Sequence, residues 1–351
     1  MARSERLHRG FLRGESTGKM NRRLAATHAV RNLALGEDAL DETIAVSLDG
    51  GGDPRDVGGV DAEADEGGHR FMILPVADES FEWRDTSFGP ALVCRPLEEV
   101  APHLFTTRAW ALGAPGASGD AWADIAFAMG VPTHSLARLR QVHGRASVVV
   151  DGQWNSAGSA PCPSADIILT GELGMAVAVC AADCVPLLLA DRRTGVVAAA
   201  HAGWRGLAQG VPRAAVESLV RRFGSHPDGL VAAIGPSVGA CCYEVGAEVR
   251  QAFVEAGFSP GTLRRWFLDL PTPMSSNPSM PGLPREQRAG HWYFDGWASV
   301  REQLVAAGLA DGQIFTARLC TASHSDLLCS YRRDGQNTGR IAAAITPPCG
   351  R

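Results

Sequence analysis

Three short stretches put polar, metal-capable side chains where an apolar run stops. They are Gln141-Val-His143-Gly144, Ala182-Asp183-Cys184 and His201-Ala-Gly-Trp204-Arg205-Gly206. A polar group at the end of a buried strand costs free energy unless it is paired. Two strand-like runs, 185–190 and 196–200, separate Cys184 from His201. A tight return between those runs would set the two residues side by side at neighbouring strand ends. Two imidazoles and a thiolate form a donor set that zinc accepts, and three protein ligands leave a fourth position for water or substrate. His143, Cys184 and His201 are therefore the candidate ligands and Zn2+ the candidate ion. The spacing alone leaves the alternative open. There is no Cys-x-x-Cys pairing, His143 lies far upstream, and two hydrogen-bonded core histidines with one buried thiol would look the same.

The elements that must hold these residues are legible as short apolar runs. Residues 175–182, 185–190, 196–200, 230–234 and 341–345 are bounded by turn residues and read as buried strands. Pro212 is placed to start a helix over 212–223, with Val216, Leu219, Val220 and Phe223 as its apolar positions. Asp295 can cap a second helix that carries Trp297, Val300 and Leu304 and stops at Gly308. Strands and helices mix without a regular βαβ period, which predicts an α/β layered sandwich with a central mixed β-sheet. Residues 271–290 are rich in Pro, Ser and Gly and read as an inserted surface loop.

Composition narrows the class. Hydrophobic residues make up 45% of 351, enough for a large core. A formal charge of −5 carries no basic stripe of the kind nucleic acid requires. No apolar run reaches the ~18 residues of a membrane span, so no membrane partner is expected. Nine cysteines, an odd number scattered along the chain, do not read as a disulfide framework and favour a reducing, cytoplasmic setting. Residues 1–70 differ: a basic stretch to Gly36 is followed by an acidic, Gly-rich one to Gly68. That segregation reads as a disordered extension or a targeting segment, with the globular body over 71–347. Cys241-Cys242 reads as buried structure after the Gly235-Pro236 turn. His324, between Cys320 and Cys329, matches no standard metal spacing.

Beyond the three stretches, the chain continues with Ile234-Gly-Pro-Ser-Val-Gly-Ala-Cys241-Cys242-Tyr243-Glu244-Val245-Gly246, then Cys320-Thr321, Ser330-Tyr-Arg332-Arg333-Asp334-Gly335 and Thr338-Gly-Arg340. Together with Ala182-Asp-Cys-Val-Pro-Leu-Leu-Leu-Ala-Asp191, His201-Ala-Gly-Trp-Arg-Gly-Leu207 and the weaker Phe105-Thr-Thr-Arg108, these blocks resemble the YfiH-like purine nucleoside phosphorylase family, formerly the laccase-domain or polyphenol oxidase family. The resemblance implies a single-domain α/β fold and zinc on His143, Cys184 and His201. It also implies phosphorolysis of adenosine, inosine, guanosine or methylthioadenosine, with adenosine deamination in the same site. After Arg108 the chain has Ala109-Trp-Ala-Leu-Gly where the family has Gly-Gly-Val-Ser, and Leu328-Cys329 stands where the family has Phe-Phe. Neither departure touches a ligand.

With that activity in view, arginine suits phosphate because its fork pairs two oxygens at once. Arg205 is the first candidate, and Arg108, Arg332 and Arg333 are further substrate-binding candidates. Asp183 can orient a ligand or exchange a proton, or can serve as a hydrogen-bonded turn residue. Three other readings compete. A cysteine hydrolase, related to peptidoglycan precursor editing, would use Cys184 as nucleophile and His201 as base. A metal-dependent interaction protein would have no turnover. A multicopper oxidase would want paired histidines, and the chain contains no His-x-His. The preferred nucleoside and the oligomeric state are not legible.

Overall fold

The computed structural model describes residues 74–349 apart from 117–119 and 155–161. The readings made for residues 1–70 lie outside the described residues. All five expected strands are present, at Ala176–Ala181, Val185–Asp191, Val197–Ala202, Leu230–Ile234 and Ile341–Ile345. They do not share one sheet. One six-stranded sheet runs in the order Phe81–Thr86, Gly89–Cys94, His103–Phe105, Ile341–Ile345, Ala176–Ala181, Leu136–Ala137. The other runs Ile314–Thr316, Leu230–Ile234, Val185–Asp191, Val197–Ala202, Ile167–Thr170, Ser147–Val150. Both are mixed: the outermost Leu136–Ala137, Ile314–Thr316 and Ser147–Val150 pair parallel and the interior pairs are antiparallel.

The two sheets stack face to face. Val177, Val179, Ile341, Ala343 and Ile345 of the first pack with Leu188, Ala190, Val197, Ala199, Val231 and Ala233 of the second in one buried cluster. The alternate residues of the same strands point outward and are also covered. Leu187, Leu189, Ala198, Ala200 and Ala232 lie under the helices Val211–Phe223, Ala247–Glu255 and Gly296–Ala306. Ala176, Ala178, Ala342 and Ala344 lie under Ala121–Ala128. The layered α/β sandwich is thus helix, sheet, sheet, helix, and the expected central sheet is a pair. Because each strand is apolar on both faces, the period-2 contrast that separates faces is missing from the sequence.

Both expected helices form. Pro212 sits in the first turn of Val211–Phe223, and Gly224 at φ 67° ends it. The buried stripe is Ala215, Val216, Ser218 and Leu219, while Val220 is 40% exposed and belongs to the solvent face. The Asp295 carboxylate accepts from the Ala298 N–H at 2.9 Å and caps Gly296–Ala306. Residues 271–290 contain no helix or strand, and the loop is anchored. Asn277 is buried, its amide donates to the Arg318 carbonyl at 2.6 Å, and its Oδ1 accepts from the Cys320 N–H at 2.7 Å.

Candidate metal centre

The centre forms where the second sheet runs out. Val185–Asp191 and Val197–Ala202 pair antiparallel with Pro186 opposite His201, which puts Cys184 and His201 at the same end. His201 extends the face of Val197 and Ala199, so it emerges at the rim of the layer between the sheets. Its other neighbour, Ile167–Thr170, pairs Ile167 with Ala200 and brings Asp166 level with His201. His143 arrives from the first sheet. The Gln141 side chain donates to the Cys180 carbonyl at 2.7 Å and accepts from the Cys180 N–H at 2.8 Å, pinning the loop to the end of Ala176–Ala181. From that anchor His143 turns back with φ 56°, a left-handed conformation.

The three candidate ligand atoms lie within 4.8 Å of one another. Zinc bonds of about 2.0–2.3 Å require separations below about 4.6 Å, so the set closes on a common cation with small adjustments. The His143 and His201 rings stand edge to face at 4.8 Å between centroids. His201 is 3% exposed, and its Nδ1 lies 2.9 Å from Asp166 Oδ1, which leaves Nε2 for the site. A ligating imidazole whose other nitrogen donates to a carboxylate has its tautomer and orientation set.

Asp166 does more than hold one ring. Its carboxylate also accepts the N–H groups of Val142, His143 and Gly144 at 3.3, 3.0 and 2.7 Å, so one side chain shapes both the His143 turn and the His201 ring. Burial alone would raise its pKa, but the His201 contact and the backbone donors outweigh it and hold the carboxyl below its ordinary range. Sequence reasoning missed this residue. An aspartate ahead of a strand has the look of a turn residue, and nothing in its spacing points 35 residues on to His201.

Cys184 and His201 each favour the charged form of the other. Burial would push the thiol up, yet the His201 charge and hydrogen bonds from both histidines lower it to about 6. Burial would likewise lower His201, but the Cys184 thiolate and Asp166 raise it to about 9. A cation would need the thiolate and the neutral imidazole, so its binding would release the proton that the pair shares. Gly203 closes the cradle. A Cβ there would lie 2.8 Å from His143 Cδ2 and 2.9 Å from Cys184 Sγ. Gly203→Ala is expected to lower metal affinity while leaving the melting temperature of the metal-free protein within a few degrees. Calorimetric zinc titration beside thermal melting checks this, and unchanged affinity would show that the cradle has slack.

The remaining expected site residues separate into two groups. Arg108 donates to Asp334 Oδ2 at 2.9 Å and to the Ser325 carbonyl at 2.5 Å. Arg333 is bidentate on Asp334 at 2.8 and 2.7 Å and also donates to the Thr321 and Leu328 carbonyls. Both forks pair with Asp334 and with backbone carbonyls. Arg205 lies over the Trp204 ring at 4.2 Å and Arg332 over Tyr243 at 5.3 Å, and among the described residues neither pairs with a carboxylate. Asp183, at φ 86°, accepts from the Thr321 hydroxyl at 2.6 Å and the Arg332 N–H at 2.5 Å. Burial raises its pKa. It braces the Arg332 segment against the Cys184 strand. Tyr243, quoted in the motif but given no role, is raised mainly by burial, and it senses Cys184, Arg332, Asp183 and Arg205. It therefore sits among them.

Residues 119–347 match the family described as multi-copper polyphenol oxidoreductase laccase. The chain belongs to this family. Purine nucleoside phosphorylase ORF3 of Streptomyces griseus is 38% identical over 231 residues, 66% of this chain and 82% of that protein. A purine nucleoside phosphorylase of Deinococcus radiodurans is 33% identical over 265 residues, 71% of this chain and 90% of its own. Adenosine deaminase RL5, from an unknown prokaryotic organism, is 32% identical over 230 residues, 64% of this chain and 80% of its own. Among solved structures, YlmD from Geobacillus stearothermophilus aligns with a TM-score of 0.62 at 27% identity, covering 76% of this chain and 99% of its own. YfiH of Bacillus licheniformis shares the fold, with a TM-score of 0.64 at 24% identity over the same shares. In this polyphenol oxidoreductase family member the matched region contains all three candidate ligands, together with Asp166, Tyr243, Arg205 and Arg332. No described helix is long and apolar enough to cross a membrane.

Proposed function

We propose that the chain is a zinc-dependent purine nucleoside phosphorylase with an accompanying adenosine deaminase activity. The observation that carries this reading is the convergence of His143, Cys184 and His201 beside Arg205 and Arg332, which pair with no carboxylate among the described residues. The names of the relatives supply the substrate class. His143, Cys184 and His201 would hold the ion, and Asp166 would orient His201 toward it. A zinc ion held there supplies Lewis acidity toward the purine or a water. Three protein donors suit a catalytic site rather than a structural one. We place the activity in the cytoplasm, where the thiol that the site needs stays reduced.

The chain's own groups account for the rest. In phosphorolysis a phosphate oxygen bonds to the anomeric carbon, the glycosidic C–N bond breaks, and the purine leaves with an added electron pair. Arg205 and Arg332 bind and orient the phosphate, and each is held near Tyr243 by its stack on an aromatic ring. Asp183 keeps Arg332 in place through its backbone N–H. Deamination needs no phosphate, so the two reactions share the centre but not the arginines.

The deciding experiment incubates metal-replete protein with adenosine and phosphate and separates products by chromatography. Adenine with ribose 1-phosphate reports phosphorolysis, and inosine reports deamination. The absence of all three products overturns the reading. Within that assay Arg205→Ala is expected to impair phosphorolysis about ten- to a hundredfold, the worth of one charge-assisted contact of about 1.5–3 kcal/mol. Inosine formation should stay comparatively intact. Equal loss of both reactions would move Arg205 from phosphate binding to the metal surroundings.

A further inference from the structure

Three more sulfurs meet on the far side of Asp183. Cys241 and Cys242 follow the strand Leu230–Ile234, and Cys320 follows Ile314–Thr316, the parallel neighbour of that strand. All three are buried, and their sulfurs lie within 4.8 Å of one another. We propose that Cys241, Cys242 and Cys320 form a second metal site, a three-thiolate seat for one thiophilic d10 cation of the zinc and cuprous class. It goes beyond the function proposed above and uses none of the residues of the first site.

The geometry agrees with a common cation. Zinc–sulfur bonds of about 2.3 Å put coordinated sulfurs no more than about 4.6 Å apart, and these three lie within 4.8 Å of one another. The backbone also treats the sulfurs as anions in waiting. The Gly239 N–H donates to Cys320 Sγ at 3.3 Å and the Met280 N–H to Cys242 Sγ at 3.2 Å. Among the described residues neither donor has another acceptor. A neutral thiol is a weak acceptor, so a buried N–H aimed at one is poorly satisfied, whereas a metal thiolate satisfies it. The surroundings are apolar: Val238, Ala322, Met280, Leu283 and Trp297 pack against the cluster. Such a shell disfavours free thiolates and water and favours a soft ion that neutralises them.

Ser323 stands at a fourth corner. Its Oγ is 3.7 Å from Cys241 Sγ and 3.5 Å from Cys242 Sγ, and it donates to the Pro278 carbonyl at 2.6 Å. His324 does not take that place, because its Nε2 is 3.1 Å from Asn277 Oδ1. The loop 271–290 thereby becomes a cover over the cluster, fixed at Asn277, Pro278 and Met280. On binding, three sulfur–metal bonds form and three thiol protons pass to solvent, with no change of oxidation state. The cation would tie the loop and both strand ends to the segment whose Thr321 holds Asp183.

Metal-to-protein ratio in the full chain tests this, after incubation with zinc and removal of loosely held ions. The expected ratio is two d10 ions per chain, zinc and copper counted together. Cys184→Ser and Cys320→Ser should each leave one, and the double variant none. Cadmium-loaded Cys184→Ser protein should keep a strong sulfur-to-metal charge-transfer band that Cys320→Ser removes. If Cys320→Ser does not fold, Ser323→Cys keeps the question open to measurement. A fourth thiolate completes the four-ligand set of structural zinc and should make the second ion harder for a chelator to remove; unchanged competition would count against the site. A wild-type ratio of one that Cys184→Ser takes to zero overturns the proposal. So does a thiol titration of the metal-free, denatured chain that finds a disulfide among these three cysteines.

Discussion

Cys184→Ser and His201→Ala are expected to abolish phosphorolysis and deamination together and to remove the ion from the first site. Either substitution leaves two protein donors, fewer than the three of a catalytic zinc site. Serine is the sharper test, since it preserves size and the chain path before Val185. Its hydroxyl stays protonated near neutral pH and offers a hard oxygen in place of a soft thiolate. Replacing the thiol also removes the negative charge that, with Asp166, raises His201 to about 9. Cys184 and His201 titrate as a pair, and their opposite shifts largely cancel in the proton balance of folding: the folded pair exchanges protons at about 6 and about 9, close to the ordinary values of an imidazole and a thiol. In metal-free Cys184→Ser the thiolate is gone, so His201 is expected to give up its proton at a lower pH than the about 9 of wild type. The checks are first-site metal content, both product rates and the titration of His201. Full occupancy of the first site with activity lost would favour a thiol nucleophile in Cys184, the hydrolase reading.

The ligands were legible because they interrupt apolar strands. Cys184 and His201 each stand where a run of Ala and Val ends, and a polar residue there needs a reason, while His143 stood out by its motif. Their convergence was not legible from spacing, since His143 lies in the loop that leaves the first sheet after Leu136–Ala137, while Cys184 and His201 stand at adjoining strand ends of the second. The division into two sheets was hidden for the same reason that the strands were visible. Leu187 and Leu188 are equally apolar although they face different layers. The arginines show the reverse limit. Arg332 and Arg333 are neighbours of one type, yet Asp334 takes the fork of Arg333 and leaves that of Arg332 over a tyrosine. Only side-chain direction separates them. Gly203 looked like one glycine in a motif, and its reason is steric: the space its side chain would fill belongs to His143 and Cys184.

Asp166→Asn is expected to cost about 10–100-fold in metal affinity at the first site, the usual effect of losing a partner behind a ligand, although it changes only one atom. The carboxylate accepts four hydrogen bonds, three from backbone N–H groups and one from His201 Nδ1. An amide offers one accepting oxygen and one donating nitrogen. If its oxygen takes the place of Oδ1, His201 and the His143 N–H stay bonded, but the NH2 group faces the N–H groups of Gly144 and Val142. The turn that presents His143 is then pushed apart. If the amide is reversed, Val142 and Gly144 keep their acceptor, but the NH2 group faces the His143 N–H and donates to His201 Nδ1. That moves the ring proton to Nε2, the nitrogen that must bind the ion. Both orientations harm the centre, one through each histidine. Asp166→Ala removes the conflict but strands the N–H groups and the His201 ring, at about 1–3 kcal/mol for each buried unsatisfied donor. It should therefore lower stability more than Asp166→Asn does. Zinc titration, melting temperature and the two product rates separate these effects. Wild-type zinc affinity in Asp166→Asn would show that His201 is held by its packing and not by its carboxylate.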